Sequence, residues 1–341
     1  MTRKRLGRHT VQLQNPPTIH AWASVVGKKE GDGPLGTLFD VVSQDDMMGC
    51  TSWEEAESSL QKTALEKALQ KAGWTKEKLR FLFAGDLLGQ DMATSFGLVN
   101  FETPLFGLYG ACSTCGLSLI LGSICIAGGF AERVGCVTSS HFASAEKEFR
   151  YPLAYGNQRP LSASWTVTGS GAFLLEQNSA EHTRAQITGM TIGKIVDSGL
   201  KDSMNMGACM APAAASTIAQ HLKDFGRKPD WYDKIITGDL GSVGQQILLD
   251  LLNREGIDIS GQHMDCGMEI FDAKTQDTHA GGSGCGCSAV VLSAYILKML
   301  EEGGWKRVFF APTGALLSKT SFNEGKNVPG ICHGIILQRI G

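Results

Sequence analysis

Cys112 sits among small residues, in Gly110-Ala111-Cys112-Ser113-Thr114-Cys115-Gly116, and a cysteine in that setting can do chemistry. An apolar run, Phe106 to Tyr109, leads in, and a small-residue helical pattern from Ser113 to about Ala127 leads out. The pattern predicts strand, tight turn, cysteine and buried helix. At a helix N-terminus, free N–H groups and the dipole favour negative charge, so the thiol pKa is expected to fall. The turn then serves as a nucleophile's seat or an anion site. A small cysteine filling space beside glycines gives the same pattern. Two metal and redox readings compete. Cys112 and Cys115 spell C-x-x-C, but a thioredoxin-like unit is much smaller and leaves a matching Cys287 unexplained. Cys266, His279, Cys285 and Cys287 are zinc-type ligands at a spacing foreign to common zinc sites.

The elements that must position Cys112 alternate along the chain. Thr18 to Val26 predicts a first strand, and Ser52-Trp53-Glu54-Glu55 a capping box opening a helix that stops at Gly73. Leu79 to Ala84 reads as a buried strand, Met92 to Val99 as a short helix and Val134 to Ser139 as a further strand. The segment from Ser140 to Ser164 is too long and polar for a connector and reads as a functional loop. Strands are expected at Trp165 to Leu175, Ala185 to Val196, Lys234 to Thr237, Arg307 to Ala311 and Gly330 to Gln338. Helices are expected at Met206 to Phe225, Val243 to Asn253 and about Cys285 to Glu302.

The chain repeats itself. Strand-Gly85-Asp86-Leu87 recurs as strand-Gly238-Asp239-Leu240. Cys112-Ser113, its helix and Gly128-Gly129 recur as Cys287-Ser288, its helix and Gly303-Gly304, at the same interval. Two halves, 1–196 and 197–341, follow, each with a small-residue helix suited to burial on both sides. A length of 341 residues supports such a core, and 42 glycines fit an α/β protein with close helix–sheet contacts. A net charge of −3 gives no basic field for nucleic acid. No apolar run is long enough for a bilayer, and ten cysteines clustered in helices favour a reducing, cytoplasmic compartment.

With these features in hand, the chain resembles the thiolase-fold superfamily, whose nucleophilic cysteine stands at the N-terminus of such a helix. Closer still, Ala84-Gly85-Asp86-Leu87-Leu88, Gly110 to Thr114, Ser139-Ser140-His141, Ala145 to Pro152, Trp165 to Gly169, Asp277 to Cys287 and Pro312 to Ser318 resemble the stage V sporulation protein AD family. The resemblance implies an α/β, five-layer αβαβα fold with two duplicated halves around two central helices. It implies binding of dipicolinic acid, or its calcium chelate, and a part in loading it into the developing spore. Implied with this are membrane partners of the same uptake system, peripheral association with the spore inner membrane and a homodimer, with Val134 to Ser139 as the expected edge strand. No cofactor or resident metal is implied, calcium carried with the ligand aside.

Condensing enzymes of this superfamily add two groups to the cysteine, His with His or His with Asn, that polarise a thioester carbonyl and move protons. The first expected position falls near Gly238-Asp239-Leu240-Gly241 and the second near Gly281-Gly282-Ser283-Gly284; neither turn holds His or Asn. A binding role therefore leads, with acyl transfer by Cys112 the alternative and a purely structural subunit the third reading. For an aromatic dicarboxylate the expected contacts are the Cys112 helix N-terminus, His141 as donor, Arg150 or Lys147 as carboxylate clamp, and backbone N–H groups at Gly281 and Gly282, with His279 close by. Asp86 reads as a turn or capping residue, or as a pocket wall needing a bridging cation such as calcium.

Overall fold

The computed structural model describes residues 5–149, 158–177 and 185–340. Its first half contributes β1 (Pro17–Val26), β2 (Phe81–Gly85), β3 (Leu105–Gly107), β4 (Arg133–Ser140) and β5 (Gly169–Gln177). The second contributes β6 (Ala185–Thr191), β7 (Lys234–Thr237), β8 (His263–Asp265), β9 (Arg307–Ala311) and β10 (Gly334–Arg339). In the first half the spatial order is β1-β5-β4-β2-β3, and in the second β6-β10-β9-β7-β8, which is the same order repeated. Directions repeat too. β2 is parallel to β3 and β4, and β5 antiparallel to β4 and β1. Likewise β7 is parallel to β8 and β9, and β10 antiparallel to β9 and β6. The two sheets join where Thr18 of β1 pairs with Gln186 of β6. β6 is thus the counterpart of β1, so the second repeat opens with Ala185, earlier than the 196/197 boundary read from the sequence.

Helices fill the remaining layers. α1 (Trp53–Ala72) and α2 (Met92–Leu98) cover the outside of the first sheet, and α5 (Met206–Phe225) and α6 (Gly241–Arg254) that of the second. Between the sheets lie α3 (Thr114–Ala127) and α7 (Cys285–Val291), within the largest apolar core. This is the αβαβα arrangement, and small residues permit it. A Cβ on Gly116 of α3 would stand 2.7 Å from His333 O, and one on Gly286 of α7 2.5 Å from Gly169 O. The second central helix is not a continuous α-helix to Glu302. It passes through a π-helical stretch at Leu292–Ile296 before α8 (Leu297–Glu301).

Local signals act as expected at α1. Ser52 Oγ accepts from Glu55 N at 3.2 Å and Gly73 closes the helix in the left-handed region. The Glu55 carboxylate, however, reaches the N–H and hydroxyl of Thr51. Three expectations change. The polar loop after Ser140 contains α4 (Phe142–Phe149), built on good helix formers and capped where Thr168 Oγ1 accepts from Phe142 N at 3.1 Å. The predicted strand from Trp165 splits: Trp165–Thr166 pairs with Gly282–Ser283 outside the main sheet. Finally, the strand at Val134 to Ser139 is no edge, since β4 is flanked by β2 and β5; the edge is β3, whose Leu105 and Phe106 are exposed. No helix among the described residues is long and apolar enough to cross a membrane.

Candidate functional site

Cys112 is delivered by a locked turn. Ala111 takes φ 48, a left-handed conformation unusual for a residue with a Cβ, and such strain persists only where neighbours over-determine it. Here Thr114 Oγ1 donates to Ala111 O at 2.6 Å and accepts from Gly110 N at 3.0 Å. Ser113, the N-cap of α3, donates to Pro312 O at 2.7 Å and accepts from His333 N at 3.0 Å, tying the turn to the second half.

The thiol does not face an open helix terminus. It is 5% exposed and packs with Leu87, Ala145 and Cys285. The polar groups that act on it come from the second half: the Asp239 carboxylate, Ser283 and the Gly284 N–H. Burial first and the Asp239 charge second push the Cys112 thiol well above its usual range, the reverse of the fall expected from the helix dipole alone. Asp239 is fully enclosed and accepts from Ser283 Oγ at 3.1 Å, Gly284 N at 3.0 Å and Thr313 Oγ1 at 2.8 Å. Burial lifts its carboxyl to about 6. Asp239 and Ser283 thus stand on the two turns at which His or Asn was expected from the sequence.

Beneath the thiol lies a buried polar network. Glu57 of α1 accepts from Ser139 Oγ at 2.9 Å and Ser144 Oγ at 2.6 Å. Burial pushes its carboxyl up to about 8, and the neighbouring Asp86 adds to the rise. Asp86 accepts from Leu88 N, Thr94 N and Thr94 Oγ1 at 2.8, 2.8 and 2.6 Å. Its role is to cap the chain after β2. Cys285 donates to Ser139 O at 2.8 Å, whereas Cys287, matched to Cys112 by spacing, points to Gly238 O. The spacing match aligns sequence but not role, because Cys112 precedes its helix and Cys287 lies within the first turn of its own.

A cavity of about 330 Å³ opens above Leu87, lined by Gln90, Asp91, Tyr109, Glu148, Leu316, Ser318 and Lys319 among others. Leu87 lines this cavity and shares a small apolar cluster with Cys112, Ala145 and Cys285, which places the thiol close to it. Asp91, half-buried, has its carboxyl lifted to about 6 mainly by burial.

The other expected contacts have structural partners. His141 is buried; its Nε2 bonds Asp46 O at 2.8 Å and its Nδ1 accepts from Ala143 N at 3.1 Å, leaving neither nitrogen for a ligand. Burial holds it below the usual histidine range, hence neutral. Lys147 pairs with Glu54 at 2.6 Å on the surface. His279 engages Pro160 O and Asp277. Gly281, at φ 124, donates to Thr278 O, and Gly282 pairs with Trp165. Arg150 lies outside the described residues. Among the described residues, no three His, Cys, Asp or Glu side chains gather around a point where a metal would fit. Reasoning from sequence did not identify Asp239 and Ser283 as the thiol's partners, nor Glu57, Tyr109 or Lys319. The first two stand on the two turns at which His or Asn was expected of a condensing enzyme, and Asp239 is also on a turn the duplication singled out; the others carried no local signal.

Residues 7–338 match the Stage V sporulation protein AD (SpoVAD) family. The Stage V sporulation protein AD of Bacillus subtilis (strain 168) is 44% identical over 338 residues, covering 99% of each chain. In three dimensions the chain is similar to 3-oxoacyl-[acyl-carrier-protein] synthase III from Aquifex aeolicus VF5, with TM-score 0.57, 14% identity and coverage of 94% and 99%. OleA of Xanthomonas campestris, co-crystallised with cerulenin, gives TM-score 0.57, 16% identity and coverage of 96% and 97%. At these identities the likeness carries the thiolase-like fold and nothing finer.

Proposed function

The chain belongs to the stage V sporulation protein AD family and has a role in sporulation, and from this premise we propose that it binds dipicolinate without transforming it, during uptake into the developing spore. The observation that carries the reading is the thiol's environment. A condensing enzyme needs a thiolate and an imidazole; at Cys112, burial first and the charge of the neighbouring Asp239 carboxylate second oppose ionisation of the thiol. The cavity above Leu87 falls in the range of small-molecule sites, roughly 300–1,000 Å³. Leu87 and Tyr109 offer apolar walls to a flat ring, and Lys319, Gln90 and Ser318 offer donors to carboxylates. Asp91 and Glu148 on the same rim favour a ligand that arrives with calcium or with protons on the wall.

We further propose a homodimer paired through β3, the edge strand, where Leu105 and Phe106 are exposed; Met92, Phe96 and Val99 of the α2 segment are exposed as well. Association with the inner membrane is then peripheral and through membrane partners of the uptake system. Equilibrium dialysis against dipicolinate and against benzene-1,3-dicarboxylate, which lacks the ring nitrogen, tests the ligand. Retention of dipicolinate alone is expected; retention of neither overturns the reading. Acyl-thioester treatment followed by mass spectrometry tests the chemistry, and an acyl adduct on Cys112 would favour transfer.

A further inference from the structure

Away from Cys112, three segments of chain bring two cations onto one indole. Lys29 Nζ lies 4.1 Å from the Trp165 ring centroid and the Arg159 guanidinium 4.8 Å from it. Phe142 stacks on the same ring at 3.9 Å, so the cations gather where Phe142 leaves it open. The Arg159 side chain is 3% exposed. Its Nη2 donates to Asp277 O at 2.8 Å and Asp277 Oδ2 at 3.1 Å, but Nε and Nη1 are buried with no acceptor. A guanidinium stays charged, and a buried charged donor left without an acceptor carries its full desolvation penalty. Asp277 compensates poorly: its side chain is 77% exposed and it also holds His279 Nε2 at 3.1 Å.

The surroundings add charge and strain. Lys29 is fixed by Gln276 O at 2.6 Å, adding a second positive charge. The other nearby carboxyl, Glu30, is buried, accepts from Thr168 N at 2.9 Å and is lifted by burial to about 7. The Thr278 hydroxyl is fully buried and without a partner. Its neighbours Asp277 and His279 both hold left-handed backbone, φ 50 and 54.

We propose that Arg159 and Lys29, backed by Trp165, form an oxyanion site, for a carboxylate or phosphate group, separate from the cavity beside Cys112. Planar guanidinium donors match such groups, and Nε and Nη1 are the donors an oxyanion would satisfy. The site stands on its own geometry and does not depend on what the Cys112 cavity binds.

The test uses the full chain, melted in chloride, acetate or phosphate at constant pH and ionic strength, beside Arg159→Met and Lys29→Met. A ligand bound only by the folded state raises Tm. The wild type is expected to gain several degrees in acetate or in phosphate over chloride, the better anion naming the group. Arg159→Met should melt at least as high as wild type in chloride, because the unpaired charge is gone, and should lose the anion-specific gain. Lys29→Met should lose part of it. Any general salt effect appears equally in all three proteins. An equal gain in wild type and Arg159→Met, no gain in either anion, or a lower Tm for Arg159→Met in chloride would each overturn the proposal.

Discussion

Replacing Asp239 with Asn should awaken Cys112. The substitution removes the charge that, after burial, does most to raise the thiol pKa, and leaves the size of the side chain intact. A unit charge about 4 Å away at an effective dielectric of about 20 contributes roughly 4 kcal/mol. That corresponds to about three pKa units on Cys112 at most, with burial still opposing ionisation. Asp239 accepts from Ser283, Gly284 and Thr313, so an amide must turn its NH2 toward one of these donors. The folded state should lose about 1–3 kcal/mol for the donor left unmet. The assay is iodoacetamide alkylation of Cys112 followed by peptide mass from pH 6 to 10, with a urea melt for stability. Wild-type Cys112 should label slowly across this range, and Asp239→Asn should label at least about tenfold faster near pH 8, with its profile moved to lower pH. Identical profiles would refute the claim that the carboxylate charge opposes ionisation of the thiol.

Other consequences follow from the same geometry. Glu57 has a folded pKa near 8, above its unfolded value, so its contribution is fully present below about pH 4.5 and is lost as pH rises toward 8. Glu57→Gln should therefore flatten urea stability over this window, where wild type falls by up to about 1.4 kcal/mol per pH unit; parallel curves would contradict it. Phe106→Lys on β3 should give monomers in sedimentation at tens of micromolar where wild type gives dimers, and unchanged dimers would remove β3 from the interface. Gly286→Ala puts a methyl against Gly169 O, backbone that cannot yield easily, and should lower stability by about 1–3 kcal/mol in a urea melt.

The layered fold was legible because its signals are local. Continuous apolar runs marked β2 and β9, the Ser52 and Gly73 signals bounded α1, and small residues marked the two central helices. The duplication was legible as matched turns, and the repeated strand order has the same origin. What escaped depends on contacts between distant segments. The Cys112 turn alone predicts a lowered thiol pKa; burial, and after it the Asp239 charge brought from the other half of the chain, reverses this. His141 reads as a donor at a strand end until Asp46 and Ala143 take both its nitrogens. β4 reads as an edge until β5 returns beside it. Seeing Asp239 and Ser283 together required the sheet ends to be brought to one point.

The central claim is that the cavity behind Tyr109 binds dipicolinate without covalent help from Cys112. Calorimetric titration of dipicolinate into the wild-type chain, Cys112→Ser and Lys319→Ala, with and without calcium, tests it most directly. Saturable binding of one ligand per chain is expected, with affinity kept within about twofold by Cys112→Ser. Lys319→Ala should lose about tenfold or more, as removal of a charged hydrogen bond worth roughly 1.5–3 kcal/mol requires. No heat in any condition, or binding abolished by Cys112→Ser and untouched by Lys319→Ala, would contradict it.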